Sequence, residues 1–324
     1  MGKYIVRRLL QLIPILFGIT FLSFAMMRIA GSDAVMEKYS NAGAAVSQEV
    51  IDAAREELGL EQSFFKQYFL WLFGMLSGDM GVSYISGLRV FDTFLSKLPA
   101  TLLLTAMSIF LTVVISIPFG ILSAVSYEKS KESRRGLSKF LFALIDFVFR
   151  FFSFIGNSFP NFFVALLLMH FFSIRLGLFP VIAKGVSFQS AVMPTLTLAI
   201  SMSAKYLRQV RATILEELQK DYVLEAKARG VKNSVILWGS VLKTSMLTIL
   251  TLLALSIGSL LGGTAIIESI FMWDGVGKLA VDSIMMRDYP MIQAYVVWMA
   301  IIYVFVHLVT DLFYHVFDPR VQQQ

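Results

Sequence analysis

Ionisable side chains are sparse in this chain, so those that fall one helical turn apart inside apolar blocks are the first candidates for chemistry. Asp146 and Arg150 are four residues apart, as are His307 and Asp311, and that spacing puts both members of each pair on one helix face. An isolated charge at the bilayer centre costs about 2.5–3.5 kcal/mol on insertion scales. Asp146 and Arg150 are therefore expected near the inner interface or against protein as a structural pair, with a direct substrate or gating role as the alternative. His307 and Asp311 invite a metal or proton-relay reading, but two ligands without a third make a poor metal site, and a packed or interfacial pair accounts for them as well. His170 stands alone. The absence of cysteine excludes a disulfide framework, a thiolate zinc site and a cysteine nucleophile. There is no Gly-x-x-x-x-Gly-Lys-Ser/Thr loop, since Gly277-Lys278 is followed by leucine, and no His-Glu-x-x-His helix or nucleophile elbow. The 16 methionines are scattered and read mostly as adaptable packing, a few being placed to touch a soft metal in a pathway. An enzyme active site is not expected, nor is a metal site.

The polar residues concentrate elsewhere. Asp221-Tyr222-Val223-Leu224-Glu225-Ala226-Lys227-Ala228-Arg229-Gly230 lies between two long apolar blocks, in an interval crowded by Lys205, Arg208, Arg211, Lys220, Lys232 and Lys243. Such an excess of basic residues beside hydrophobic spans marks the cytoplasmic side of a membrane protein. Composition favours helix from Leu215 to Arg229, Gly230 permits the left-handed geometry that ends one, and a second helix starts at about Lys232. The product is a short polar knob.

The elements that must position this knob are membrane spans. The chain has 324 residues, 57% hydrophobic and 15% charged, with several blocks near the 20 residues needed to cross a bilayer. The net charge of +6 sits beside these blocks, where it meets anionic lipid; nucleic-acid binding, which needs a water-exposed basic surface, is not expected. The fold class is an all-α polytopic membrane protein of six transmembrane helices with a small external subdomain between helices 1 and 2. Residues 1–30 comprise the cytoplasmic N-terminal end and the first helix, whose basic flank Lys3, Arg7 and Arg8 stays inside. Residues 31–98 form the external subdomain: a helix from Ser47 through Leu58, an amphipathic run from Phe64 to Leu76, a turn at Gly78-Asp79-Met80-Gly81, and an extended stretch Val82 to Ile85. Residues 99–324 form the transmembrane core of five helices. Pro99 opens the span Ala100 to about Val125 in its first turn. The block from about Phe140 to Leu176 reads as one kinked helix with an interfacial first half, because two helices call for a polar loop that is absent. Later spans run over about Ala191–Leu207, Thr244–Ile267 and Ile292–Phe313, with both chain ends inside. The loop at about 208–243 carries the knob. Thr195, Thr197, Ser201 and Ser203 make the fourth span polar enough either to face a wet cavity or to hydrogen-bond between helices. Ser256, Gly258, Ser259, Gly262 and Gly263 in the fifth form a packing seam or line a pathway.

Asp221-Tyr222-Val223 followed by Ala226, Ala228 and Gly230 resembles the cytoplasmic "EAA" loop of permease subunits of binding-protein-dependent ABC importers, in the form of the peptide/nickel group. Further matches follow in order: Leu98-Pro99-Ala100-Thr101-Leu102, Phe159-Pro160-Asn161-Phe162-Phe163, Glu268-Ser269-Ile270-Phe271, Gly275-Val276-Gly277, Arg287-Asp288-Tyr289-Pro290 and Asp318-Pro319-Arg320. Within the group, Phe159-Pro160-Asn161-Phe162 and Arg287-Asp288-Tyr289-Pro290-Met291-Ile292-Gln293 are most similar to nickel permeases. Three departures stand out: Leu224 occupies a glutamate position, Thr248 a proline position after the loop, and Asp274 a proline position in the loop at 273–277.

This resemblance implies a transport subunit of the plasma (inner) membrane that forms the translocation pathway for nickel, a nickel chelate, or di- and oligopeptides. It implies a second and different permease subunit, two cytoplasmic ATPase subunits that carry the ATP and magnesium, and an extracytoplasmic solute-binding protein that docks near the external subdomain; no cofactor is expected on this chain itself. ATPase coupling is assigned to Asp221, Glu225 and Arg229 for polar pairing, Tyr222, Val223 and Ala226 for apolar contact, and Gly230 for the turn. The alternatives are an ion-gradient-driven secondary transporter, for which inverted repeats and a coupling-ion site are wanting, and a membrane scaffold without transport.

Overall fold

Apolar blocks become helices because a backbone taken out of water must satisfy its own hydrogen bonds. The computed structural model describes residues 2–29, 47, 49–51, 53, 62–133 and 136–317. In chain order these give α1 (Gly2–Ile29), α2 (Phe64–Leu76), α3 (Val90–Glu132), α4 (Gly136–Ser158) and α5 (Asn161–Leu168), the last prolonged by a wide π turn through Arg175. There follow α6 (Phe188–Leu218), α7 (Asp221–Ala228), α8 (Asn233–Ile236, leading into a second π segment through Val241), α9 (Leu242–Phe271), α10 (Val276–Met285) and α11 (Tyr289–Phe317). Among the described residues five helical stretches are long and apolar enough to cross a bilayer: Leu10–Ile29, Val90–Glu132, Gly136–Ser158, Asn233–Gly262 and Tyr289–Thr310. The protein is an all-α polytopic membrane protein. The expected fourth span lies within α6, which is long enough but more polar. It packs against α4, α5 and α9, and a helix enclosed by other helices needs no apolar coat.

Several sequence expectations change in detail. Pro99 does not open its helix: α3 starts at Val90 with Asp92 in the first turn, so the proline sits inside it. The block from 140 to 176 is not one kinked helix but α4 and α5, separated only by Phe159 and Pro160. The residue before a proline is held out of the helical region, and Pro160 is itself extended at φ −61°, ψ 144°, so two apolar residues suffice where a polar loop seemed necessary. The amphipathic run Phe64–Leu76 is a helix as expected. The turn at 78–81 forms with Asp79 Oδ1 accepting from the Gly81 N–H at 3.0 Å. Beyond it the extended stretch shrinks to the isolated bridge Val82–Arg89 around a turn at 84–86. The helix expected from Ser47 through Leu58 falls largely outside the described residues, as do Asp318-Pro319-Arg320.

Two compact units divide the chain, Met1–Leu102 with Asp274–Leu308, and Leu103–Trp273 with Val309–Gln324. In the first, α2 lies on α1 through an aromatic cluster centred on the fully buried Tyr68, whose hydroxyl is 3.0 Å from Thr20 Oγ1 and whose ring meets Phe17, Phe21 and Phe24 edge-on. Residues of the resemblance motifs act there as ties. The buried Asp288 accepts from Ser83 Oγ at 2.5 Å and from the Tyr84 N–H at 3.1 Å. Thr101 Oγ1 accepts from the Val276 N–H at 2.9 Å, and Asp274, where the resemblance led to the expectation of proline, pairs with Lys97 at 2.5 Å.

In the second unit α6 is the central element. Its neighbours come close at glycines: a Cβ on Gly120 of α3 would lie 2.6 Å from the Val210 side chain, and one on Gly156 of α4 would lie 2.7 Å from Ala204. Ser153 Oγ donates to the Ala204 carbonyl and the Tyr206 hydroxyl donates to the Leu252 carbonyl at 2.8 Å, joining α6 to α4 and to α9. Small residues and interhelical hydrogen bonds are the expected adhesives where apolar burial offers little advantage over lipid.

Candidate functional site

The polar knob is built from the end of α6 outward. On α6, Leu207, Val210 and Ile214 recur on one buried face, and Glu217 continues it. Carried inward, the Glu217 carboxylate accepts from Lys220 Nζ at 2.5 Å and from the Tyr222 hydroxyl at 3.0 Å. Those bonds clamp the two-residue turn Gln219–Lys220 on which α6 stops and α7 starts, so the helix expected to be continuous from Leu215 to Arg229 is broken there. Burial, then the hydrogen bond and charge of Glu217, push the Tyr222 hydroxyl up to about 12, against a smaller opposing effect of Thr244.

Val223 has no exposed surface and belongs to one buried apolar cluster with Ile121, Tyr206, Val210, Ile214, Ile236 and Val241. Tyr222 and Ala226 flank the same cluster half-buried. The apolar contact assigned to these three is thus made chiefly with the chain's own core, and Val223 has no surface left for another protein. Asp221, Leu224, Glu225, Ala228 and Arg229 form the exposed face. The apolar part of the surrounding surface comes from Leu224, noted above only for standing at a glutamate position, at 56% exposure, and from Val235 at 57% and Trp238 at 63%, to which the sequence assigned no role. Lys227 reaches back to Glu132 at 3.1 Å.

Gly230 ends α7 at φ +78°. Its N–H bonds the Lys227 carbonyl at 3.0 Å and the Val231 N–H bonds the Ala226 carbonyl at 3.1 Å. This pair of bonds is the Schellman closure, which requires a left-handed residue where glycine stands. The expected second helix then begins at Asn233 after Lys232.

Above the knob, Asp146 is the hub of an ion-pair network. It is 2% exposed. Oδ1 accepts from Ser123 Oγ at 2.6 Å and Arg211 Nε at 2.7 Å, and Oδ2 from Arg211 Nη2 at 3.1 Å; Arg150 Nε lies 3.0 Å from Oδ2. The structural pair with Arg150 is present, but Arg211 is the principal partner, binding both oxygens in the fork geometry that guanidinium provides. The Arg211 guanidinium also lies 5.0 Å from the centre of the Tyr127 ring. No local spacing announces a contact between residues 146 and 211. The His307–Asp311 pairing is not described, since the Asp311 side chain lies outside the described residues, and among those residues no group of three potential metal ligands occurs.

The helix residues assigned to a pathway or seam divide. Ser256 lines an open pocket of about 110 Å³ together with Leu198, Met202, Tyr206 and Leu260 and the exposed Asn161 and Lys205. Ser201 is half-buried, its hydroxyl without a protein partner among the described residues. Gly258 is buried, whereas Gly262 is exposed with open space where a side chain would project, so the two do not share one filled seam. The side-chain positions of Ser259 and Gly263 lie outside the described residues. Asn161 and Lys205 were not assigned to this group; both belong to stretches noted for other reasons, and only packing joins them to Ser256.

Comparison with known proteins fits this arrangement. Residues 116–323 match the family model described as the binding-protein-dependent transport system inner membrane component, and residues 1–105 match the N-terminal model of such membrane components. The chain is 37% identical to the oligopeptide transport system permease protein AppB of Bacillus subtilis, over 99% of this chain and all of that one. It is 32% identical to the glutathione transport system permease protein GsiC of Escherichia coli K12, over 99% of both. A solved chain of the MetNI methionine ABC transporter in an inward-facing conformation shares the fold, with a TM-score of 0.55 at 17% identity, over 70% of this chain and 96% of that one.

Proposed function

The chain belongs to the family of binding-protein-dependent transport system inner membrane components, and we propose that it is one of two different permease subunits in an importer of small peptides. As a member of that family it is a transport subunit, not an enzyme. The AppB and GsiC relatives carry peptides by name, which favours peptide over the nickel suggested by Phe159-Pro160-Asn161-Phe162 and the run after Arg287. ATP and magnesium reside on two ATPase subunits on the cytoplasmic side, an extracytoplasmic binding protein delivers the solute, and both chain ends face the cytoplasm of the inner-membrane-bounded cell.

The observation that carries the coupling role is the rigid seating of α7. Val223 anchors it in the core, Glu217 clamps its start and the Gly230 closure fixes its end. An element held at three points passes displacement to α6 and α9 without absorbing it. Asp221, Glu225 and Arg229 remain exposed for polar pairing with an ATPase, with Leu224 as an apolar contact among them. ATP-driven closure of the ATPase pair would then move α7 and, through it, the helices around the cavity.

Proteoliposomes holding the complete complex test this. ATP-dependent accumulation of short peptides, but not of nickel chelates, is expected. Gly230→Val forces a β-branched residue into a left-handed conformation and should abolish accumulation while the complex still inserts and assembles; undiminished uptake by this variant removes the coupling role. Accumulation driven by an ion gradient without ATP overturns the importer reading.

A further inference from the structure

The short helix α2 is apolar on both sides. Phe64, Tyr68 and Trp71 lie against Phe21 and Phe24 of α1, and Tyr68 and Met75 on that side are buried. The opposite arc carries Phe65, Phe69, Leu70, Phe73 and Leu76, each between 44% and 75% exposed. Lys66 is the one charge in the helix. A helix that lies on a protein under water turns polar residues outward. This one turns phenylalanine and leucine outward instead.

Depth decides what covers that arc. The apolar span of α1 runs over Leu10–Ile29, and the Tyr68 hydroxyl lies 3.0 Å from Thr20 Oγ1 and 3.5 Å from the Phe17 carbonyl oxygen. At the helical rise, Thr20 is about 15 Å from Leu10 and about 13 Å from Ile29, near the middle of a hydrocarbon layer ~30 Å thick. Phe24, which meets Phe64 and Trp71, is about 8 Å short of Ile29. With 13 residues, α2 is about 20 Å long, too short to cross. We propose that α2 is embedded in the acyl region of the leaflet that holds the C-terminal end of α1, with Phe65, Phe69, Phe73 and Leu76 against lipid chains. Residues 64–76 then belong with the membrane part of the chain and not with the external subdomain.

Two features favour lipid over another subunit as the occupant. The arc adjoins the apolar surface of α1: Phe17, in ring contact with Tyr68 at 5.7 Å, is itself 47% exposed. The arc also holds bulky side chains and no glycine, alanine or serine, whereas helices pack on one another in a membrane through small residues. Lys66 stands in the first turn, where its stem lies along the arc and its ammonium reaches toward the headgroups. The embedding has a structural consequence. After α2 come the turn at 78–81 and the bridge Val82–Arg89, and Asp288 ties Ser83 and Tyr84 within that bridge to the start of α11. An anchored α2 holds this turn at the membrane surface.

The chain has no cysteine, so single cysteines labelled with bimane report on α2 in the complete complex, the cysteines of the other subunits being replaced. Phe69→Cys and Phe73→Cys place the labels on the arc. Phe110→Cys, exposed within the apolar span of α3, and Ser86→Cys, exposed in the turn, serve as references. In nanodiscs containing phosphatidylcholine with a nitroxide on its acyl chain, both α2 labels should be quenched about as strongly as the α3 label and at least threefold more strongly than the turn label. Aqueous iodide should quench only the turn label. Iodide quenching of the α2 labels equal to that of the turn label places α2 in water, and protection from both quenchers places a protein surface over it; either result overturns the proposal. If one variant fails to assemble, Leu76→Cys on the same arc carries the same expectation.

Discussion

Arg211 and Lys205 are six residues apart on the same helix and meet opposite fates. Arg211 is largely buried and answered: both oxygens of Asp146 accept from its guanidinium, Tyr127 lies over that group, and the adjoining Val210 packs on Gly120 of α3. Lys205 is exposed, at the edge of an open pocket, and has no acidic partner among the described residues. A charge buried between helices is neutralised by the fold, and its removal harms stability; an exposed one without an acidic partner contributes little. The two positions should therefore respond unequally to mutation.

The largest effect is expected at the filled region. Asp146→Asn strips two arginines of their counter-charge, and removing one partner of a buried pair costs about 3–5 kcal/mol. Thermal unfolding of the detergent-solubilised complex should show a large fall in Tm or a failure to assemble. An unchanged Tm would erase the contrast. Overpacking comes next: Gly120→Leu must displace Val210, at about 1–3 kcal/mol, with the same readout. If its Tm is unaltered, the close approach of α3 and α6 is not as described.

A smaller effect belongs to the clamp at the start of α7. Tyr222→Phe removes one hydrogen bond to a buried carboxylate, worth about 1–3 kcal/mol, partly relieved because Lys220 still holds Glu217. It also carries a pH signature. The Tyr222 hydroxyl is raised from the ordinary value near 10 to about 12, so the folded state prefers the neutral form. The stabilisation is complete below pH 10 and is lost as pH rises from 10 to 12. Phenolate absorbance should show a tyrosine ionising near 12 that is missing in Tyr222→Phe, whose stability should fall less across that interval; identical pH profiles would remove the clamp. The smallest change in stability is expected at Lys205→Gln, within about 0.5 kcal/mol as for an exposed site without partners. A Tm drop as large as that of Asp146→Asn would make Lys205 structural and collapse the comparison from the other side.

Some of this architecture was legible without coordinates because its causes are local. Hydrophobic run length gave the spans, the period of Phe64–Leu76 gave its amphipathic helix, and Gly230 gave the end of the knob, where φ is indeed +78°. Errors arose where a local rule met a stronger neighbour. Pro99 is tolerated inside α3, Pro160 divides α4 from α5, and the Glu217 clamp accompanies a break at Gln219–Lys220 in a helix that propensity alone would continue. Glu217 carried a signal that went unused: it falls in the same helical register as Val210 and Ile214, which makes a buried acid and hence a partner necessary.

The sequence by itself determined the class, most of the membrane-spanning helices and the place of the polar knob, because hydropathy, helix periodicity and a left-handed glycine act over a turn or a span. Only the tertiary structure decided what each polar residue does. Val223 is internal while Leu224 is exposed, Arg211 answers an aspartate 65 positions away, and Asn161, Lys205 and Ser256 line one open pocket. Charge pairing and cavity shape depend on distance in space, and helix packing brings together residues that no interval in the chain relates.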